Sequence, residues 1–81
     1  MVSIEEMLKK EDLIQDGIDD LIFELIKERK AKGLTQEQFA ELSGVDKNTI
    51  VLMESFRQNP DLLTVMKLCV ALGLSLATKE R

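Results

Sequence analysis

Residues 33–54 constrain this chain most, because they predict two short helices joined by a tight turn at residues 43–45. Thr35 is suited to begin the first helix, since a threonine hydroxyl accepts a backbone N–H two or three residues further on. Gly44 lies where that helix has to end and the backbone has to reach positive φ, which glycine does at least cost. Asp46 is a second residue of the N-cap type. The spacing therefore predicts a second helix directly after the turn.

Apolar residues at helical spacing indicate how these two helices pack. Phe39, Ala40 and Leu42 supply the apolar face of the first helix. Ile50 and Met53, three residues apart, supply that of the second. The small Ala40 allows the helices to cross closely. A helix pair joined by a short glycine-containing turn is a helix-turn-helix, whose second helix can enter the major groove of DNA.

The same stretch resembles the helix-turn-helix of phage repressors, Cro proteins and regulators of the xenobiotic-response-element type. The residues that match the pattern are Gln36, Ala40, Gly44, Ile50, Met53 and Glu54. The resemblance extends over about residues 17–76 and includes Asn59-Pro60 and the Ala-Leu-Gly of residues 71–73. It also implies that Arg29 pairs with Glu54 as a structural ion pair, in bidentate geometry.

We therefore expect an all-α fold, a compact five-helix lambda-repressor-like bundle. The helices are expected at about residues 3–10, 17–32, 35–43, 46–56 and 61–72, with a connection at residues 12–17. Residues 1–16 are expected to form a short acidic helical extension, and residues 17–81 the DNA-binding domain. Ile4, Met7 and Leu8 of the extension either dock a partner or cap the core, and the sequence leaves both interpretations open.

Charge is distributed unevenly along the 81 residues. Residues 1–24 hold eight acidic residues against two lysines, a net charge of −6, whereas residues 25–81 hold nine basic and seven acidic residues, a net charge of +2. The total is −4, so the acidity belongs to the first 24 residues. A weakly positive domain can still bind DNA if its cations share one face, although its non-specific affinity is then modest.

Several functional classes are disfavoured by the composition. The chain has no histidine and a single cysteine, Cys69, which argues against a zinc site, an internal disulfide or histidine-dependent catalysis. No phosphate-binding glycine-rich loop or nucleophile motif occurs, so we expect no enzyme and no cofactor. No signal peptide or run of about 20 apolar residues is present, which predicts a cytoplasmic protein without a membrane partner.

In the docking mode that the resemblance implies, the outward residues of the second motif helix meet double-stranded DNA. Those residues are Asp46, Lys47, Asn48, Thr49, Val51, Leu52 and Ser55. Asn48 can pair with an adenine edge, and Lys47 with guanine or a phosphate. Gln36 and Thr49 can donate hydrogen bonds to phosphates, assisted by the N-terminal dipole of the first motif helix. For Lys47 and Asn48 a solvated helix surface is the alternative interpretation.

A second interpretation makes the chain a protein-interaction module. Val51, Leu52 and Phe56 can form an apolar patch, and such patches often mark protein contacts. Phe56 also stands where the family commonly has a small residue such as glycine. The run from Asn59 to Thr64 resembles the opening of the last helix in antitoxins, and the acidic N-terminus suits a basic toxin surface. An antitoxin that also represses its own operon is therefore the alternative to a DNA-binding transcriptional repressor.

The last predicted helix carries two apolar stripes. One faces inward and comprises Leu62, Val65, Leu68, Cys69 and Leu72. The other comprises Leu63, Met66 and Val70, positions where a monomer favours polar residues, and is continued by Leu74 and Leu76. We expect this second stripe to be the interface of a homodimer.

Overall fold

The computed structural model describes residues 3–74, without the side chains of residues 4–9, and within that range it consists of four α-helices and no strand. The helices are α1 Ile4–Ala31, α2 Gln36–Ser43, α3 Lys47–Glu54 and α4 Leu62–Leu72. The all-α prediction is confirmed. Leu76 and the rest of the segment after Leu74 lie outside the described residues.

The first helix differs from the prediction. α1 runs without interruption for 28 residues, so the connection expected at residues 12–17 is wrong and the two predicted N-terminal helices are one. The segment contains no proline, and Leu13, Ile14 and Gln15 all favour helix. Gly17 is its weakest helix former, and a single glycine costs a helix only about 1 kcal/mol relative to alanine. The described chain therefore has four helices instead of five, and the expected domain boundary after residue 16 lies inside α1.

α2 begins and ends where the sequence predicts. The Thr35 hydroxyl accepts the backbone N–H of Gln38 at 3.0 Å, and the Gln38 side-chain oxygen accepts the backbone N–H of Thr35 at 2.9 Å. Two N–H groups that would otherwise lack partners are thus satisfied reciprocally, in a capping box. Gly44 has φ 76° and donates its N–H to the Ala40 carbonyl, which closes the helix.

Aspartates cap the other two short helices. Asp46 accepts the backbone N–H of Asn48 at 3.0 Å, and Asp61 accepts that of Thr64 at 2.7 Å. The hydrogen bonds from Thr64 lower the pKa of the Asp61 carboxyl below its ordinary value. Gly73, at φ 74°, ends α4 as expected.

The core forms where α1, α2, α3 and α4 face one another. Its buried residues are Ile22, Leu25, Phe39, Val45, Ile50, Met53, Val65, Leu68, Cys69 and Leu72. A fully buried side chain of this size contributes roughly 1.5–3 kcal/mol, so helices as short as α2 and α3 depend on this packing. Burial also raises the pKa of the Cys69 thiol, which therefore stays protonated.

Two leucines predicted to face the core are exposed. Leu42 is 58% exposed and Leu62 is 71% exposed. Leu62 is the first residue of α4 and precedes the turn at which Val65 enters the core. Leu42 lies at the outer edge of α2, beside Met66 and Val70 of α4. Within residues 3–74, no helix is both long and apolar enough to cross a membrane.

Candidate nucleic-acid interface

α3 is fixed to the end of α1 by a buried ion pair. The Arg29 Nε donates to Glu54 Oε2 at 2.8 Å, and its Nη2 donates to Glu54 Oε1 at 2.9 Å. The two side chains are only 10% and 7% exposed. The third nitrogen, Nη1, donates to the Leu34 carbonyl at 2.7 Å. The guanidinium therefore joins three elements: α1, the turn before α2, and the last residue of α3.

Gln36 belongs to the same network. Its side-chain amide donates to Glu54 Oε1 at 2.9 Å, so the Glu54 carboxylate accepts three hydrogen bonds from protein donors. The half-buried Gln36 was predicted to donate to a phosphate, and in this structure its amide is directed at Glu54 instead. Because the buried carboxylate has both a cationic and a neutral donor, the orientation of α3 relative to α1 and α2 is set by directional bonds.

The expected DNA-contacting residues of α3 fall into two groups. Asp46, Lys47, Asn48 and Ser55 are exposed, whereas Thr49, Val51 and Leu52 are half-buried. The one carboxylate in the exposed group belongs to Asp46, which is the N-cap of α3. The Ser55 hydroxyl donates to the Leu52 carbonyl at 3.1 Å, at the opposite end of the helix. Polar side chains are thus presented at both ends of α3, with apolar ones between them.

Val51 lies in a shallow depression between α1 and α3. The depression has a volume of about 360 Å³ and also includes Ile26, Lys30 and Gln36. Lys30 is exposed at its edge. The neighbouring lysines are partly neutralised, because Lys27 lies 3.2 Å from Glu24 and Lys32 lies 3.7 Å from Glu28. Near α3, the exposed basic side chains outside the described ion pairs are Lys30, Lys47 and Arg57.

Phe56, which the interaction-module interpretation groups with Val51 and Leu52, has an aromatic partner on α1. Its ring packs on Phe23 in a tilted arrangement, with 4.9 Å between ring centroids and an interplanar angle of 47°. Phe56 has φ 61°, the left-handed conformation that glycine adopts easily and phenylalanine rarely does. This geometry explains why a small residue is common at the position. The Phe23 partner was missed, because nothing in the spacing of residues 23 and 56 signals a contact.

The predicted dimer residues lie on the outer face of α4. Leu63, Met66 and Val70 are 64%, 47% and 75% exposed, whereas Leu74 is half-buried against the core. Leu42 of α2 extends this apolar surface, and a groove of about 440 Å³ lies between Leu42, Met66 and Val70. Leu42 was missed as a surface residue since its apolar character was assigned to the core.

Two short helices joined by a tight glycine-containing turn and packed with two further helices are the architecture of a helix-turn-helix domain. The family model described as "Helix-turn-helix" matches residues 25–78, which is more than half of the chain. The chain therefore belongs to the helix-turn-helix family of the Cro and phage-repressor type.

Curated relatives agree with this family. An uncharacterized HTH-type transcriptional regulator of Haemophilus influenzae is 42% identical over 57 residues, covering 70% of this chain and 58% of the relative. One of Methanothermobacter thermautotrophicus is 46% identical over 50 residues, covering 60% of this chain and 72% of the relative. A third, of Sinorhizobium fredii, is 40% identical over 47 residues and is covered to 61% of its length. No solved structure matches the chain.

Proposed function

We propose that this protein is a sequence-specific transcriptional regulator, acting as a repressor, that contacts bases in the major groove of double-stranded DNA with α3. The observation that carries the proposal is the division of α3 into two sides. Ile50 and Met53 are buried and Glu54 is held by Arg29, which fixes the helix. Lys47 and Asn48 remain exposed at its N-terminal end, the part of a recognition helix that contacts base edges.

Base contacts are assigned by side-chain chemistry. An asparagine amide matches the donor and acceptor of an adenine edge, and a lysine matches guanine or a phosphate. Asn48 and Lys47 take these roles, while Thr49 and Ser55 contact the backbone at the margins of the groove. Val51 and Leu52, between the polar ends, supply apolar surface of the kind that covers a thymine methyl group. Asp46 remains the N-cap of α3, and its carboxylate is not expected to contact a phosphate because both groups are negatively charged.

Phosphate contacts are expected at the N-terminus of α2. Backbone N–H groups at a helix N-terminus attract anions, and Lys30 stands exposed near Gln36 in the same depression. The amide of Gln36 already binds Glu54, so its proposed contribution to phosphate binding is positional: it holds the end of α2 against the ion pair. Phosphate contacts of this kind set the register of the domain on DNA without selecting a sequence.

A homodimer accompanies this function in our proposal. Leu63, Met66 and Val70 are exposed together, and Leu42 enlarges the same apolar surface. An isologous interface across this surface places two copies of α3 about 34 Å apart, one turn of DNA, on a two-fold symmetric site. The sequence assigns Leu74 and Leu76 to the same interface.

Enrichment of random duplex oligonucleotides by the full chain tests the DNA-binding proposal. We expect a selected motif with two-fold symmetry. Asn48→Ala should relax the preference at one base position and weaken binding to the selected site by about 1–3 kcal/mol. Glu41→Ala, on the exposed side of α2, is the control and should leave the motif unchanged. Enrichment without any motif, from a folded protein, would contradict the proposal.

Lys47→Ala separates phosphate contact from base contact. A phosphate-directed lysine should weaken all sequences alike and reduce the salt dependence of binding by about one counterion. If Lys47 contacts guanine instead, the loss will be confined to the selected site and the preference at that base will change.

The mass of the Val70→Glu variant tests the dimer: a monomer is expected, and an unchanged dimer would contradict the interface.

The interaction-module alternative, including an antitoxin, keeps one structural argument. Glu11, Asp12, Asp16 and Asp20 are exposed on α1 ahead of Ile22, the first buried core residue that the structure describes, so these four carboxylates are accessible to a partner. This role is compatible with DNA binding by α3, because the two surfaces use different residues. A toxin partner would bind through residues 1–16 and would not need Lys47 or Asn48.

A further inference from the structure

The paired rings of Phe23 and Phe56 are not explained by the core or by DNA binding. Both residues are exposed, Phe23 at 59% and Phe56 at 43%. Phe56 nevertheless takes φ 61°, a conformation that carries strain for a bulky residue and none for glycine. The backbone thus holds a large apolar side chain on the surface at a position where glycine would fit without strain. An exposed apolar pair of this kind marks a protein contact.

Helical spacing places acidic residues on the same side of α1 as Phe23. Asp12, Asp16 and Asp20 follow one another at intervals of four, and Phe23 comes three residues later. Residues three and four apart are neighbours on one face of a helix, so all four form a single stripe. Leu13, which is 70% exposed, borders the stripe three residues before Asp16. We call the surface of Leu13, Asp16, Asp20, Phe23 and Phe56 the aromatic–acidic face.

The length of this face follows from helix geometry. Leu13 and Phe23 are ten residues apart, which at a rise of 1.5 Å per residue is about 15 Å along the helix axis. Apolar side chains therefore stand at both ends of the face, and carboxylates stand between them. A second helix packed along α1 would match this spacing if two of its own apolar residues were about ten positions apart.

The charges on the face identify the kind of partner. Among the side chains that the structure describes, neither Asp16 nor Asp20 pairs with a cation, in contrast to Glu24, which pairs with Lys27. Carboxylates beside apolar surface repel DNA phosphates and favour a cationic protein. A second copy of this chain fits less well, since the outer apolar stripe of α4 carries a single cation, Lys67.

We propose that the aromatic–acidic face binds a basic amphipathic helix of another protein. That helix would carry two apolar residues about ten positions apart, which pack on Leu13 and on the Phe23–Phe56 pair, with Lys or Arg between them facing Asp16 and Asp20. An arginine beside the apolar residue that packs on Phe23 and Phe56 would also lie over the exposed ring faces. The inference deepens the partner role suggested for the acidic N-terminus and rests on residues that DNA binding does not use.

Titration of the isotope-labelled full chain with synthetic helical peptides tests the inference. The first peptide carries the two leucines and the intervening lysines and arginines, the second has both leucines replaced by alanine, and the third has the basic residues replaced by glutamate. We expect only the first to shift the amide signals of residues 13–23 and Phe56 at low micromolar to submillimolar concentration. Its affinity should fall about tenfold between about 50 and about 300 mM salt, because exposed charges are screened.

Variants then assign the binding to the face. Phe56→Gly removes a ring at a position where glycine suits the backbone, so the variant should stay folded and bind the first peptide about tenfold more weakly. Asp16→Asn with Asp20→Asn should weaken binding about fivefold, in line with two exposed ion pairs. The matched control is Glu37→Gln with Glu41→Gln, which changes the net charge equally on α2 and should alter the affinity less than twofold.

Three results would overturn the inference. They are shifts that map to the apolar stripe of α4, equal binding of all three peptides, and unchanged affinity in both the Phe56→Gly and the double aspartate variants. Failure of the DNA-binding proposal is distinguishable. Asn48→Ala should keep full peptide binding while losing base preference, and Phe56→Gly should keep the selected DNA motif while losing the peptide.

Discussion

The two halves of α1 have similar apolar spacing and opposite surroundings. In the C-terminal half, Ile22 and Leu25 are fully buried and Arg29 holds Glu54. In the N-terminal half, Leu13 and Ile14 are 70% and 63% exposed. Amphipathic spacing therefore indicates which face of a helix is apolar, but burial depends on whether another element lies opposite that face. Among the described side chains of α1, those of residues 10–17 are exposed, and those that pack in the core with α2, α3 and α4 lie in the C-terminal half.

One described link ties the end of the N-terminal half to the rest of the fold. The side-chain amides of Gln15 and Asn59 exchange two hydrogen bonds of 3.1 Å, and Gln15 also donates to Asp19 at 3.0 Å. These groups are exposed, so water competes for the same bonds and their net contribution is about 0.5–1.5 kcal/mol each at most. By its described side chains, the N-terminal half of α1 is therefore attached to the fold more lightly than the C-terminal half.

The largest effect is expected at the buried ion pair of the C-terminal half. Arg29→Ala leaves the Glu54 carboxylate buried without its cation and should lower the free energy of unfolding by about 3–5 kcal/mol. Lys30→Ala, one residue away and exposed, is the control and should change it by less than about 0.5 kcal/mol. Urea unfolding measures both. Similar small losses in the two variants would show that the pair does not fix α3.

A matched leucine substitution in each half tests the comparison directly. Leu25→Ala opens a cavity in the core and should cost about 2–5 kcal/mol, whereas Leu13→Ala should change stability by less than about 0.5 kcal/mol. Both variants lose the same atoms from the same helix. Comparable losses would mean that the N-terminal half is packed as tightly as the C-terminal half.

Removal of the N-terminal half should have a smaller effect than Leu25→Ala. A chain that starts at Asp16 loses the Gln15–Asn59 bonds but none of the buried core residues that the structure describes. We expect a decrease of about 1–2 kcal/mol, from two exposed hydrogen bonds and a shortened helix. Thermal melting monitored by circular dichroism measures it. A loss of more than about 4 kcal/mol would make residues 1–15 part of the folding unit.

The smallest effect concerns pH and the cap of α4. Because the folded state lowers the pKa of Asp61, its carboxylate contributes stability above the unfolded pKa, and this contribution is lost as the pH falls through the folded pKa. The stability difference between the protein and Asp61→Ala should therefore be constant near neutral pH and shrink in acid, below the ordinary aspartate pKa of 3.8. A difference that grows in acid would contradict the capping role.

Local sequence signals predicted much of this fold. Thr35, Gly44, Asp46 and Asp61 act through neighbours two to four residues away, so their capping roles follow from the sequence alone. The continuity of α1 did not follow, because the stretch from Asp12 to Gly17 is as typical of a connection as of a helix interior.

Contacts across the fold were harder to predict. The Phe23–Phe56 pair and the Gln36–Glu54 bond join residues far apart in sequence, and neither has a local pattern. Leu42 and Leu62 were assigned to the core since an apolar residue at helical spacing does not reveal what lies opposite it. For the candidate site, the sequence indicated which helix matters, and the structure was needed to show which of its side chains are exposed.

The most direct test of the account is the effect of the selected DNA duplex on the amide spectrum of the full chain. We predict shifts at residues 47–55 and at the start of α2, whereas Phe23 and the acidic residues of α1 should be unaffected. In the Arg29→Ala variant these shifts should be lost if α3 is released. Shifts confined to the N-terminal half of α1 or to the outer stripe of α4, with residues 47–55 unchanged at low salt, would contradict the claim that α3 binds DNA.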